Sequence, residues 1–326
     1  MKDTRKEIAQ SWHELTWTQL VELHKLRRNV MSSSEILLRE YEIVSGSKCL
    51  GRGQKPYEGS ENDIRAIGEY VRRCAEGKAG TVLYFEKEGE VSYVETVAFA
   101  GMALERLLWM RRTNGLMKLP EKFVVVGGET FALPCFVGYS DNVVRYGQYG
   151  DMQVYMMGLW SEMDRVAKGE GDEKMAERLM NSFVSVLLLP TYEERVKIDA
   201  VEEEDGYRWE KRRYVREYDR SEIDRIAEKV SKSGDAEWLF SLLSQLTQSA
   251  LDYYHSRFPD LVSKGGGRKK GGDIYVNKIG TDNTVMKYAG YGSVEAVQRE
   301  PVGVILERLD AIAKENKEYE RMKTKK

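Results

Sequence analysis

The sequence contains few of the residues from which metal and redox centres are usually built. Its three histidines follow no HExxH pattern and do not pair with a cysteine; they are His13, His24 and His255. Its three cysteines form no CxxC pair and lie far apart; they are Cys49, Cys74 and Cys135. This spacing predicts no metal site. An odd number of isolated cysteines favours buried thiols in a reducing compartment.

Motifs for nucleotide binding and nucleophilic catalysis are also missing. The chain has no GxxxxGK[ST] phosphate loop and no GxSxG elbow, and the GRG of Gly51–Gly53 is not set between a strand and a helix. We therefore expect neither an enzyme nor a bound cofactor. The alternative of an enzyme would need a cleft that gathers distant carboxylates such as Glu14, Asp63 and Glu129.

The sequence lacks an excess of either charge and a long apolar run. Lys and Arg total 51 against 53 Asp and Glu, so no overall field favours nucleic acid or an acidic membrane. No apolar run approaches the roughly 18–20 residues that a membrane helix needs, and the first residues are polar. These features predict a protein of the cytoplasm.

The length and composition predict a globular protein of two or three packed units. The 326 residues are 41% hydrophobic and 32% charged. Shifts in composition predict an N-terminal helical unit with a hairpin at 1–127 and a central helical-hairpin unit at 128–262. A Gly/Lys/Arg-rich linker at 263–272 and a C-terminal helical unit at 273–326 follow.

Helix-start signals and turn residues predict a mainly α fold with one or two small β-hairpins. Thr16 and Gln19 form a T-x-x-Q capping box at the start of the first helix. Alternating strands around Glu88-Gly89 and around Gly127-Gly128 predict the hairpins. The start LTWTQL at Leu15–Leu20 is echoed by VRYGQY at Val144–Tyr149, which leaves open whether part of the chain is duplicated.

A helical hairpin at 146–189 is the strongest pattern in the chain. Apolar residues recur at helical intervals on both sides of a glycine-containing turn at Lys168–Asp172. The methionines crowded here suit a surface that repacks against partners, although they can also fill a core. The candidate partner-binding residues are Met152, Met156, Leu159, Trp160 and Met163.

Two charged stretches offer other interpretations. Glu202–Arg220 is dense in charge and is predicted to be a solvated connector, which can be helical. Its aromatic residues can stack on bases, but packing against neighbouring helices is favoured; they are Tyr207, Trp209 and Tyr214. The glycine loop Gly265–Gly272 is favoured as a hinge. It can instead track a phosphate backbone through Arg268, Lys269 and Lys270.

Several short stretches resemble proteins of bacteriophage and prophage tail modules. They are Ser11–Gln19, Thr130–Pro134, Tyr146–Tyr149, the ending Leu187–Pro190, and Ala289–Leu309 with Pro301. The sequence departs from that pattern in two places, because Arg145 stands where a capping threonine is usual and Leu189 where an arginine precedes Pro190. The resemblance implies a tail assembly chaperone-like factor or a minor tail component, with no known cofactor or active site.

The expected function is therefore non-enzymatic. We expect amphipathic helices to bind phage tail proteins, the tube subunit or the tape measure, in the bacterial cytoplasm or in the virion, and self-association is compatible with the same surfaces. The alternative is a nucleic-acid-binding phage protein that uses Arg268, Lys269 and Lys270.

Overall fold

The computed structural model describes residues 9–26, 31, 33–51, 82–111, 115–138, 140–199, 207–258 and 291–323. The chain divides into two compact units, Met1–Leu116 and Met117–Lys326. The predicted linker 263–272 lies outside the described residues, as does Cys74. The predicted boundaries at 127 and 262 stay predictions.

The first unit combines helices with a small antiparallel sheet. Its helices are α1 (Trp17–Lys25), α2 (Ser33–Ser45) and α3 (Thr96–Leu107), and its strands are β1 (Lys48–Gly51), β2 (Val82–Lys87) and β3 (Glu90–Glu95). The strands lie in the order β1-β2-β3. Glu88 and Gly89, both with positive φ, form the turn between β2 and β3, which confirms the first predicted hairpin.

Aromatic side chains fill much of the core of the first unit. The rings of Phe85 on β2 and Phe99 on α3 stack with centroids 5.3 Å apart. Tyr41 on α2 meets both rings edge-on, at 5.3 Å and 5.0 Å. One aromatic cluster thus joins the sheet to two helices.

The second unit contains a four-stranded antiparallel sheet and most of the helices that the structure describes. Its strands are β4 (Phe123–Val126), β5 (Glu129–Ala132), β6 (Leu189–Asp199) and β7 (Tyr207–Val215), in that order. Its helices are α4 (Tyr146–Ala167), α5 (Glu173–Leu187), α6 (Ile223–Ser233), α7 (Ala236–Arg257), α8 (Val294–Arg299) and α9 (Val302–Lys323). The β4–β5 pair, which turns at Gly127-Gly128, confirms the second predicted hairpin.

The predicted helical hairpin is present as α4 and α5, and its second helix is central to the core. The last five residues of α5, from Phe183 to Leu187, are all buried. Phe183 meets Phe240 of α7 edge-on at 5.4 Å, and the Thr247 hydroxyl on α7 donates to Met152 Sδ on α4. The chain is therefore mainly α with small β elements, as the sequence predicts.

The stretch predicted to be a solvated connector is different from expectation, because part of it forms β7. Tyr207–Val215 pairs with β6 over nine residue pairs, from Thr191↔Val215 to Asp199↔Tyr207. The prediction that the aromatic rings of this stretch pack against helices is wrong for Trp209, whose side chain is 66% exposed. Tyr214 instead stacks on Tyr192 of the paired strand, with ring centroids 5.5 Å apart. Cross-strand pairing, which a local pattern does not reveal, organises this segment.

Helices α1 and α4 each carry a glutamine three residues after the N-cap. Gln19 accepts from the Thr16 backbone N–H at 3.0 Å, and the Thr16 hydroxyl accepts from the Gln19 backbone N–H, which confirms the capping box. Gln148 likewise accepts from the Arg145 backbone N–H at 3.2 Å. The reciprocal bond cannot form at Arg145, because a guanidinium has no acceptor atom.

Candidate functional site

The five predicted partner-binding residues are divided between the core and the surface. Met152 and Leu159 are buried, with 0% and 2% exposure, so they stabilise the unit and cannot touch a partner. Met156 is half-buried, and Trp160 and Met163 are exposed. The helical period identified one broad apolar face, and the neighbouring helices cover only one side of it.

The apolar side chains of α4 that are not covered by neighbouring helices form a continuous row. Met157, Trp160 and Met163 are 41%, 55% and 45% exposed, and their separations of three residues place them side by side with half-buried Met156. We call Met156, Met157, Trp160 and Met163 the apolar stripe. Such a group of large apolar side chains is uncommon on a protein surface unless something binds there.

A cavity of about 670 Å³ lies where the start of α4 meets the base of β6–β7 and helix α8. The Asp151 carboxylate, buried in its wall, accepts from the Tyr218 hydroxyl at 2.8 Å and from Arg220 Nε at 3.0 Å. Arg220 Nη2 reaches the other carboxylate oxygen. The sequence did not suggest this triad, because 67 or more residues separate Asp151 from its partners.

The electrostatics of this cavity are those of a structural ion pair. Burial, strengthened by the negative charge of Asp151, raises the pKa of the Tyr218 phenol far above its ordinary value, so Tyr218 stays a hydrogen-bond donor. The described lining carries four arginines and five carboxylates, a net charge of −1, and therefore does not select an anion. These residues are Arg145, Arg216, Arg220, Arg299, Asp141, Asp151, Glu217, Asp219 and Glu295.

Two of the three carboxylates suggested for an enzyme, Glu14 and Glu129, do not line this cavity. Glu14 accepts from the Ser11 hydroxyl and the Gln10 backbone N–H, and Glu129 forms ion pairs with Arg225 and Lys229. Asp63 lies outside the described residues. The side chains described in the cavity wall include no serine, threonine, cysteine, histidine or lysine. The enzyme alternative stays a prediction.

The β6–β7 hairpin presents a second, chemically different surface. Arg195 lies directly opposite Lys211, and Lys197 lies directly opposite Trp209. All four side chains are exposed. We call Arg195, Lys197, Trp209 and Lys211 the basic face. The loop with Arg268, Lys269 and Lys270 lies outside the described residues, so its role stays a prediction.

Among the described residues, no three His, Cys, Asp or Glu side chains are grouped so that they could hold a metal ion. No helix among these residues is both long and apolar enough to cross a membrane.

Comparisons with models of protein families, with curated proteins and with solved structures find no match for this chain.

Proposed function

We propose that this protein is a non-enzymatic assembly factor that binds other proteins through the apolar stripe of α4. Its proposed partners are phage tail proteins, the tube subunit or the tape measure, and its role is that of a chaperone-like factor or a minor tail component. The partner class rests on the sequence resemblance to tail-module proteins. The single structural observation that supports protein binding is the exposure of Met157, Trp160 and Met163 in one row.

The chemistry of the stripe suits a helix-to-groove contact. Tryptophan and methionine are enriched at the centres of protein interfaces, and burial of apolar surface contributes about 25 cal/mol per Å². Trp160 lies in the middle of the row, with Met157 three residues before it and Met163 three residues after it. A partner that covers Trp160 would therefore cover its neighbours as well, as in other complexes where a helix inserts its apolar face into a groove.

The test is an affinity capture from bacteria in which the phage or prophage carrying this gene is induced. The baits are the wild-type chain, Trp160→Glu, and Tyr319→Ser as a matched control, since Tyr319 is a 56% exposed aromatic on a different helix, α9. We expect the wild-type and Tyr319→Ser baits to recover the tube subunit or the tape measure, and Trp160→Glu to lose it. Recovery of neither tail protein by the wild-type bait would overturn the proposal.

A further inference from the structure

The outer part of the β6–β7 hairpin is a two-stranded ribbon. Strand β5 pairs with β6 only at Phe131↔Pro190 and Ala132↔Leu189. The nine β6–β7 pairs begin beyond that point, at Thr191↔Val215, and continue to Asp199↔Tyr207. Among the described residues, β7 has no second strand neighbour. Each face of the ribbon carries exposed side chains, Glu194 and Arg212 on one face and Arg195 and Lys211 on the other.

Register places the basic face on one side of this ribbon. Directly opposite residues of an antiparallel pair project to the same face, as do residues two apart in one strand. Arg195 and Lys211 therefore share a face with Lys197 and Trp209. Neighbouring pairs on a face are roughly 6–7 Å apart along the strands, so the four side chains form one compact group.

Two charges of this group are not neutralised as charges are elsewhere on the ribbon. The next pair toward the base is Glu193 and Arg213, which form an ion pair at 2.5 Å, and on the opposite face Glu194 lies opposite Arg212. Arg195 and Lys211 are like charges directly opposite each other, and neither has an ion pair or side-chain hydrogen bond within the described chain. Such a pair destabilises a free hairpin, and a bound anion removes that repulsion.

We infer that the basic face binds single-stranded nucleic acid. Its cations can contact successive phosphates, and the exposed indole of Trp209 can stack on an unpaired base. A duplex keeps its bases stacked and hidden from such a ring, so the single strand fits the group better. The inference depends on the ribbon alone and goes beyond the protein-binding role proposed for α4.

The experiment measures the anisotropy of fluorescently labelled (dT)20 and (U)20 titrated with the full chain at 50 and 200 mM KCl. We expect the wild-type affinity to fall about twentyfold between these salt concentrations, as three phosphate contacts on a single strand require. Arg195→Gln/Lys211→Gln should weaken binding and flatten this salt dependence, by a slope of about 1.4. Trp209→Ala should weaken binding at least about fivefold, and Trp209→Tyr should restore most of it.

Matched variants separate binding at the basic face from binding elsewhere on the chain. Arg212→Gln removes a cation from the same strand but from the opposite face, and we expect a much smaller effect than for the double variant. Arg195→Lys/Lys211→Arg keeps both charges and should keep binding. Trp160→Glu should also leave binding unchanged, so the failure of one proposal is distinguishable from failure of the other.

Four outcomes would overturn the inference. They are no binding by the wild-type chain at 50 mM KCl, equal losses for Arg212→Gln and the double variant, and equal affinity for poly-glutamate, which would indicate an acidic protein as partner. The fourth is binding abolished by Arg268→Gln/Lys269→Gln/Lys270→Gln but unaffected by the ribbon variants, which would assign it to the loop.

Discussion

The side-chain amide of Gln148 donates a hydrogen bond to the carbonyl oxygen of Val186, 2.7 Å away. Its amide oxygen accepts from the Arg145 backbone N–H, so one buried side chain links the start of α4 to the end of α5. Gln19 makes the equivalent contacts in the first unit, where its amide nitrogen donates to the carbonyl of Ile43 at 2.8 Å and to that of Val44 at 3.3 Å.

The two glutamines occupy equivalent places in the two units. In each case a capped helix is followed by a second helix and then by a strand, α1-α2-β1 and α4-α5-β6. The glutamine at the third position of the first helix satisfies carbonyl groups in the last turn of the second. The sequence echo between Leu15–Leu20 and Val144–Tyr149 therefore extends to a shared structural arrangement.

Loss of the Gln148 link should destabilise the second unit. Gln148→Leu keeps a similar volume but leaves the Val186 carbonyl and the Arg145 N–H without their partner, so we expect the free energy of unfolding to fall by about 1–3 kcal/mol. Urea denaturation followed by circular dichroism measures it. Gln248→Leu, at an exposed position on α7, should change it by less than about 0.5 kcal/mol. Equal effects of both substitutions would contradict a specific role for the link.

Removal of Arg220 should lower the free energy of unfolding more than removal of the charge of Asp151. The side chain of Arg220 is 58% exposed and can be hydrated when alone, whereas that of Asp151 is 5% exposed and would be left as a buried charge. We expect Arg220→Gln to lower the free energy of unfolding by about 2 kcal/mol or more and Asp151→Asn by less. In the Asp151→Asn background, Arg220→Gln should cost little, and a double-mutant cycle tests this. Additive losses would show that the two groups are not coupled.

Glu129 should make the stability of the second unit depend on pH under acidic conditions. A hydrogen bond from Arg225, supported by Lys229, lowers the pKa of the Glu129 carboxyl below its ordinary value. The ion pair therefore contributes stability above the unfolded-state pKa of about 4.3, and this contribution is lost as the pH falls through the lower folded-state pKa. The stability difference between wild type and Glu129→Gln, measured from about pH 7 down to about pH 2.5, should shrink across this window. A difference that stays constant would exclude this linkage.

Gly171 should resist substitution in the turn between α4 and α5. A Cβ there would lie 2.4 Å from the Val166 backbone nitrogen and 2.8 Å from the Arg165 carbonyl carbon, and backbone atoms cannot move aside. We expect Gly171→Ala to lower the free energy of unfolding by about 1–3 kcal/mol. At Gly292 a Cβ meets nothing within 4 Å, so Gly292→Ala serves as the control and should be nearly neutral. Comparable denaturation midpoints for both variants would contradict the steric argument.

Local signals in the sequence were enough to predict the elements that depend on neighbouring residues. Residues a few positions apart determine each of these elements. They are the capping box at Thr16, the turns at Glu88-Gly89 and Gly127-Gly128, and the helical period of α4 and α5. The ribbon was missed because both of its faces are solvated. Without a fully buried face, β7 shows no regular hydrophobic alternation and that of β6 is interrupted at Glu194, so only their pairing identifies them as strands.

The amino-acid sequence by itself determined that this chain is mainly helical, because capping, turn chemistry and apolar spacing act over a few residues. Tertiary structure decided which groups are available to other molecules. It buried Met152 and Leu159 while leaving Trp160 exposed, joined Asp151 to Arg220, and set Arg195 opposite Lys211. Exposure and charge pairing depend on which distant segments of the chain pack together, and the spacing of residues along the sequence does not show this.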